Sequence, residues 1–432
     1  MMRHVIHPAF LLTAAAALIM AGCGGADKSE SPSESGVVEI SFLTQQLKPT
    51  FDDYINGLVR EFESTHPGVR VKWLDFPFQN YETKILTAFV GGNAPDVINI
   101  GSESIPVFAN GGYLMRLNDL LPPEVFAAYV PQMLQDGCSL GEDIYGLPWY
   151  AASTVTLYNT EIFQKLGIPI EERPQSYDEV RAFCEKVRAK SSEYFGFFPI
   201  YTEGGTMRTW LLEAGVELYN AEKNRAIFNT PEGVEVVKFW TDLYKDKLVP
   251  SEALTATHRR PIELYNTGRL AVFLAAPQFI RQVKSDSPDV YKASMVGQRL
   301  HWKNKPPVSI IPLHTFAVSK QTKHPRLAAE LAAFLTNDAN QLAFCKLTTI
   351  FPTTRKALQD PYFTEPEDTI EGRARELSAD QISHGRILFA PRRAKEMNQA
   401  MDKMTERICQ GQITVEAALA ELQEQWNELL KD

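Results

Sequence analysis

The strongest constraint on the fold is the alternation of strand-like and helix-like segments early in the chain. Alternating and β-branched apolar residues predict strands over 37–44, 69–76 and 96–100. Between these strands, apolar residues at helical spacing predict helices over 51–66 and 81–90. A β-α-β-α-β opening favours a parallel sheet with helices on its faces, so we expect an α/β protein.

Mixed strand and helix patterns continue to the end of the chain. A long apolar strand is predicted over 147–158. Ser176 and Glu179 have the spacing of a capping box at the start of one helix, and Thr414 opens the last helix in the same way. The other predicted elements are two strands and five helices: strands 269–274 and 315–319, and helices 176–190, 232–245, 325–335, 397–409 and 414–430.

The first 23 residues have the layout of an export signal. Arg3 is followed by an apolar run over 10–20, a small Ala-Gly pair and then Cys23. The run is shorter than the ~20 apolar residues that span a bilayer. A Cys directly after the cleavage site resembles the lipobox of bacterial lipoproteins, which implies removal of residues 1–22 and lipidation of Cys23. A plain signal peptide with an incidental Cys is the alternative.

Residues 23–36 form the expected lipidated Cys and its tether. The segment GGADKSESPSESG has no apolar residue larger than Ala, so it cannot bury enough surface to offset its chain entropy. We expect a flexible link between a lipid anchor and the folded part. No later segment is apolar over the length that a membrane span needs. The predicted location is the outer side of the cytoplasmic membrane.

Composition favours an ordinary globular protein with two domains. The residues from 37 to 432 exceed what one core usually supports. The net charge of −9 contains no basic block, which argues against a nucleic-acid partner. Cysteines in the mature part have no zinc-ligand spacing, so we expect no metal and no cofactor; their disulfide state is left open. These are Cys138, Cys184, Cys345 and Cys409.

Six segments spread over the mature chain carry a family resemblance. They are FESTHPGVRVKW (62–73), TAFVGGNAPDVINI (87–100), EDIYGLPWYAASTVTLYNTEIFQKLGI (142–168), LYNTGRLAVFLAAPQFI (264–280), FAVSKQTKHPRLAAELAAFLTND (316–338) and GQITVEAALAELQEQWNELL (411–430). In this order they resemble the family 1 extracellular solute-binding proteins of bacterial ABC importers, which include sugar-binding lipoproteins of the maltose-binding type.

The resemblance implies a two-lobed periplasmic-binding-protein fold of type II, with an interlobe ligand cleft and several hinge crossings. The implied lobes are 37–150 with 300–350, and 151–299 with 351–432. It also implies a monomer that captures a mono- or oligosaccharide and hands it to the permease subunits of an importer.

Polar residues at the carboxyl ends of the predicted strands are the first candidate ligand contacts, because sites in α/β sheets lie there. Gln45 and Gln46 follow the first strand, and Ser102 and Glu103 follow the third. Asp96 is a family position near the cleft, with a turn cap as the alternative.

Aromatic residues and charges further along the chain complete the first half of the candidate site. Trp149 and Tyr150 are platform candidates for a sugar ring, although successive strand residues face opposite ways and one should pack in the core. Glu203 and Arg208 could hydrogen-bond hydroxyls or a carboxylate. Trp210 matches a family aromatic but could equally be helix core.

Three later residues complete the predicted ligand contacts. Gln278 stands where the family often has a stacking aromatic, so an amide contact is expected instead. His314 precedes a strand, where a structural histidine is the alternative. Phe351 precedes Pro352 near the implied third crossing and could line the cleft.

Other functions remain open at this stage. No motif of a hydrolase, metalloprotease or nucleotide-binding loop is present, and we expect no enzyme. The same fold could bind a polyol, glycerol phosphate or a sugar acid. A surface carbohydrate hydrolase and an adhesion module with a degenerate cleft are the alternatives from other classes.

Overall fold

The computed structural model describes residues 36–305 and 308–431, so the predicted signal, Cys23 and nearly all of the tether lie outside the described residues. The strands are β1 (Val38–Gln45), β2 (Val69–Phe76), β3 (Val97–Gly101), β4 (Ser139–Leu140), β5 (Asp143–Ile144), β6 (Gly146–Ala151), β7 (Val155–Asn159), β8 (Phe195–Phe197), β9 (Leu270–Ala275), β10 (Ser294–Gly297), β11 (Leu313–Val318) and β12 (Phe351–Pro352).

The helices surround these strands and connect them. They are α1 (Asp52–Thr65), α2 (Tyr81–Val90), α3 (Ile105–Asn110), α4 (Pro123–Ala127), α5 (Pro131–Cys138), α6 (Thr160–Lys165), α7 (Tyr177–Lys190), α8 (Thr206–Glu213), α9 (Pro231–Lys245), α10 (Arg259–Asn266), α11 (Gln278–Asp286), α12 (Pro288–Lys292), α13 (Pro325–Leu335), α14 (Asp338–Thr348), α15 (Pro361–Thr364), α16 (Ile370–His384), α17 (Ala394–Cys409) and α18 (Val415–Leu429). No described helix has both the length and the apolar character needed to cross a membrane.

Two separate sheets define two lobes. The first lobe contains a six-stranded sheet of order β12-β6-β11-β3-β1-β2, in which β1 pairs in parallel with β2 and β3. The second lobe contains a four-stranded sheet of order β10-β7-β9-β8. The predicted α/β class and the parallel opening are therefore confirmed.

The apolar cores follow these lobes, with a difference from the predicted boundaries. Leu300 and Ile310 pack with the second lobe, whereas Phe351 and Phe363 pack with the first. Helix α16 contributes to both cores. Because these side chains pack across the boundaries predicted at 299/300 and 350/351, those two boundaries do not agree with the contacts, and the exact lobe limits remain a prediction.

Three chain segments run side by side between the lobes. The amide of Ala152 donates to the carbonyl of Pro312 at 2.9 Å, and the amide of Ile311 donates to the carbonyl of Arg386 at 2.9 Å. The predicted long strand over 147–158 is therefore wrong, because the chain leaves the first sheet after Ala151 and enters the second at Val155. Its continuous apolar character reflects burial in two different cores.

Helix starts follow the predicted caps in part. The hydroxyl of Thr414 accepts the amide of Ala417 at 3.3 Å. The capping box at Ser176 forms differently, since the hydroxyl of Ser176 has no partner among the described residues and the carboxylate of Glu179 accepts the amide of Gln175 at 2.8 Å.

Removing the Thr414 cap should produce a small loss of stability. We expect Thr414→Ala to lower the free energy of unfolding by about 1 kcal/mol, because one amide of the first turn of α18 loses its acceptor. Thermal unfolding followed by circular dichroism measures the change. Ser285→Ala, which removes an exposed hydroxyl from α11, is the control and should stay within about 0.5 kcal/mol of the parent. An equal loss in both variants would contradict the capping role.

Candidate ligand-binding site

A cavity of about 750 Å³ lies between the two lobes. Its volume is within the range of small-molecule sites, about 300–1,000 Å³. Polar and apolar side chains line it from both lobes and from the chain segment at Arg386 that runs between them, among them Ser102, Gln132, Asp136, Glu217, Tyr219, Lys223, Arg386 and Phe389. At its rim, Arg386 of this segment pairs with Glu217 of the second lobe through nitrogen–oxygen distances of 3.0 and 3.3 Å.

Two half-buried aromatic rings line the second-lobe side of the cavity. The rings of Tyr219 and Phe389 meet edge to face at 5.5 Å, and Tyr219 is supported from behind by a stacked Trp426 at 5.7 Å. The ammonium of Lys223 lies 4.6 Å from the Phe389 ring centre. Burial raises the pKa of Tyr219, so its phenol stays protonated at neutral pH. That phenol oxygen is buried without a partner among the described residues and is available to a ligand.

Arg208 of α8 presents a nearly buried guanidinium beside Tyr219. Its side chain is 6% exposed, and its Nε has no hydrogen-bond partner in the described part of the chain. Burial lowers the pKa of Arg208, and the nearby Tyr219, Glu103 and Asp402 act in the opposite direction. The group remains a cation, since an arginine pKa starts far above neutrality. A buried charge with an unpaired donor is costly, so this position favours a hydrogen-bond acceptor from outside the chain.

Glu103 reaches the same region from the first lobe. It lies in the turn after β3, and its carboxylate folds back over Gly101, where a Cβ would overlap it. Glu103 is exposed to solvent. Desolvation by the neighbouring protein atoms raises the pKa of Glu103, the nearby Glu82 raises it further, and Arg208 lowers it.

Tyr150 and His314 stack on each other beside Glu103. Their ring centres are 4.7 Å apart with an interplanar angle of 17°. Burial lowers the pKa of His314 to about 4, so the imidazole is neutral at physiological pH. Burial is also the main cause of the raised pKa of Tyr150, to which Glu103 contributes. The Nδ1 of His314 has no partner among the described residues.

Helix α17 adds polar groups near Arg208. The carboxylate of Asp402 accepts the amide of Gly205 at 3.0 Å. Burial raises the pKa of Asp402 to about 6, against the effect of the Gly205 and Gly204 amides and of Arg208. The side-chain oxygen of Asn398 has no partner in the described chain. Only glycine fits at 205, because φ is +74° and a Cβ would lie 2.7 Å from that oxygen.

The structure brings several of the predicted residues together. Ser102 lines the cavity, and Glu103, Tyr150, Arg208 and His314 form a polar cluster with Asp402. Gln278 is the first residue of α11 and follows the end of β9. At that end, Ala275 pairs with Val155, the first residue of β7. Its Oε1 is buried without a partner in the described residues. Contact of these side chains with a ligand stays a prediction.

Three predicted aromatic contacts lie in the lobe cores instead. Trp149, 2% exposed, stacks on Phe344 at 4.5 Å, and Trp210 stacks on Trp240 at 4.1 Å. Phe351 packs on Phe363 at 5.2 Å. These positions do not support a platform role, because each of the three residues is buried and at most 5% exposed.

Four other predicted contacts have partners inside the protein or lie apart from the cavity. Asp96, at the amino end of β3, accepts the amide and hydroxyl of Ser41 at 2.8 and 2.7 Å, which agrees with its structural alternative. Gln45 is half-buried at the end of β1. The amide oxygen of Gln46 accepts a backbone amide of the first lobe, and the carboxylate of Glu203 holds His258.

Two α/β lobes with a polar cleft at their seam define the class of two-lobed solute receptors. The family model for bacterial extracellular solute-binding proteins matches residues 48–342. The chain belongs to this family. The family and the fold are those of solute-binding proteins rather than enzymes, and they indicate a location outside the cytoplasm.

Proteins that are similar to this chain over most of its length agree with the family assignment. A Synechococcus protein of known structure, provisionally named an oligosaccharide periplasmic-binding protein, is 29% identical with a TM-score of 0.81 and covers 91% of this chain and 99% of its own. The galactooligosaccharide-binding protein of Bacillus subtilis is 24% identical and covers 83% of each chain. An uncharacterised lipoprotein of Streptomyces antibioticus is 24% identical over 80% of this chain and 76% of its own.

Proposed function

We propose that this chain is the sugar-capturing lipoprotein of an ABC importer, which binds an oligosaccharide between its lobes and releases it unchanged to a permease. The observation that carries the proposal is the cavity of about 750 Å³ at the lobe seam, which is lined by Tyr219, whose buried phenol oxygen has no partner among the described residues. Buried polar groups are normally satisfied, so unpaired ones in a cleft favour a polar ligand.

The chemistry of the cleft suits a sugar. Apolar ring faces of a sugar can pack on Tyr219 and Phe389, and its hydroxyls can both donate and accept. Arg208 and the phenol of Tyr219 supply donors, whereas Glu103 and Asp402 supply acceptors. The named function of the Bacillus relative and the name of the Synechococcus protein support the same ligand class.

Closure is the proposed mechanism of capture. Glu103 belongs to the first lobe and Arg208 to the second, so a ligand held by both groups stabilises the arrangement in which the lobes are together. No group of the site needs to react with the ligand. We further propose that Cys23 carries a lipid, that the protein acts as a monomer, and that the closed form docks on the permease.

An acidic sugar is the second candidate ligand. The unpaired Nε of Arg208 favours it, since arginine binds carboxylates through paired hydrogen bonds. The carboxylates of Glu103 and Asp402 near the same guanidinium disfavour it, because they would repel an anion. A neutral oligosaccharide is therefore the first choice.

A thermal-shift screen followed by isothermal titration tests the function. Neutral sugars of increasing length, mannitol and a uronic acid series are the probes. We expect a neutral oligosaccharide to stabilise the protein, by about 2.7 kcal/mol at a hundredfold excess over its dissociation constant. Chromatography of the same sugar after hours of incubation should recover it intact. Absence of any shift would contradict the receptor function, and consumption of the sugar would favour a hydrolase.

A further inference from the structure

An aromatic contact joins the two lobes, and we call this place the mouth. Phe78 belongs to the loop between β2 and α2 of the first lobe, and His258 precedes α10 of the second. Their ring centres are 5.5 Å apart, in an edge-to-face arrangement of 68°. Nearby, the ammonium of Lys395 on α17 lies 3.4 Å from the hydroxyl of Thr83 on α2.

The loop of Phe78 is held in place by Gln46. The side-chain oxygen of Gln46 accepts the backbone amide hydrogen of Phe78 at 3.2 Å. The backbone amide of Gln46 donates to the carbonyl of Phe76 at 2.8 Å. Gln46 has φ +52°, an uncommon conformation for a residue other than glycine. Phe78 is 51% exposed, so its ring is not part of the first-lobe core.

His258 is held from its own lobe by Glu203. The carboxylate of Glu203 accepts the backbone amide of His258 at 2.7 Å, and its other oxygen lies 2.9 Å from Nδ1 of the ring. Two contacts to one carboxylate fix both the backbone and the ring plane. The loop that carries Glu203 continues to Gly205, whose amide binds Asp402, and then to Arg208 in α8. The contact at the mouth and the polar cluster therefore share one loop.

We propose that Phe78 and His258 form a latch that holds the lobes together, and that Glu203 is a positioning residue for His258 rather than a ligand contact. Closing the latch fixes the loop over 202–205 and with it the start of α8. A ligand that binds Arg208 stabilises the same loop, so ligand and latch favour one closed state. The proposal depends on lobe closure, which is part of the proposed function, but its test requires no ligand.

Distance measurements across the mouth of the ligand-free protein test the latch. Spin labels at Leu86→Cys on α2 and Lys403→Cys on α17 flank the mouth and are read by double electron–electron resonance. The cysteines at 138, 184, 345 and 409 are buried and should not react. We expect Phe78→Ala to lower the ratio of short to long distances about two- to tenfold, the effect of one aromatic pair. His258→Ala should do the same, and the double variant should add nothing further.

A matched control and a variant of Glu203 make the outcome decisive. Val90→Ala removes an exposed apolar side chain from α2 and should leave the distances unchanged. Glu203→Ala should widen the distances in the parent background and have no further effect when His258 is already alanine. Unchanged distances in Phe78→Ala, or equal changes in Val90→Ala, would overturn the latch. The proposed function would survive that result if the sugar screen still gave binding.

Discussion

Replacing Arg208 with methionine is expected to weaken ligand binding and to stabilise the ligand-free protein. The guanidinium is 6% exposed and its Nε has no partner among the described residues, so burying this charge costs free energy. An apolar side chain of similar length removes that cost, and we expect a gain of roughly 1–2 kcal/mol in the free energy of unfolding. Loss of hydrogen bonds from a charged group should weaken sugar binding about 10- to 100-fold.

Urea titration and isothermal titration measure the two effects of Arg208→Met. The stability comparison is made near pH 5, where Asp402, with a pKa of about 6, is mostly neutral and needs no counter-charge. The sugar with the largest thermal shift in the screen is the probe for binding. Arg188→Met changes an exposed arginine of α7 and should alter neither quantity. A variant that binds the sugar as tightly as the parent would remove Arg208 from the site.

The local elements were predictable because short-range patterns determine them. Strand β2 and helices α2 and α13 have the predicted bounds, since each apolar pattern ends at a turn or at proline. The prediction of one strand over 147–158 was wrong, because an apolar pattern cannot show that the chain leaves one sheet and enters another. Lobe boundaries were approximate for a related reason: α16 packs in both cores and belongs to neither alone.

The candidate site was predictable only where it follows directly from strand ends. Ser102 and Glu103 are in the turn after β3, and the sequence places them there. Trp149 and Trp210 are residues of the type that stacks on sugar rings, but they stack on Phe344 and Trp240 in the lobe cores. Residue type alone does not distinguish a ligand contact from a core residue.

The residues that sequence reasoning missed come from elements distant in the chain. Tyr219 and Phe389 meet in the cavity although 170 positions separate them in the numbering. Asn398 and Asp402 are one helical turn apart on α17, which indicates a shared polar side on a helix that otherwise buries methionines. That spacing was a usable signal, although nothing local shows that this side faces Arg208.

The stability of the protein should depend on Asp402 between about pH 4 and pH 6. Burial raises the pKa of Asp402 to about 6 in the folded state, whereas an unfolded aspartate titrates near 3.9. The folded state therefore binds the proton more tightly, and its stability from this group is full below pH 4 and lost as the pH rises through 6. After allowance for partial solvent access, we expect a loss of about 1–2 kcal/mol.

Asp402→Asn should remove this pH dependence, because the amide is neutral throughout and can still accept the amide hydrogen of Gly205. We expect the variant and the parent to have equal free energies of unfolding at pH 4, and the variant to be the more stable at pH 7. Urea titrations at half-unit intervals of pH give the difference, which cancels contributions from other titrating groups. Asp286→Asn changes an exposed carboxylate of α11, and its difference from the parent should stay flat with pH. A flat difference for Asp402→Asn as well would mean that the Asp402 carboxylate is as well solvated in the folded cleft as in the unfolded chain.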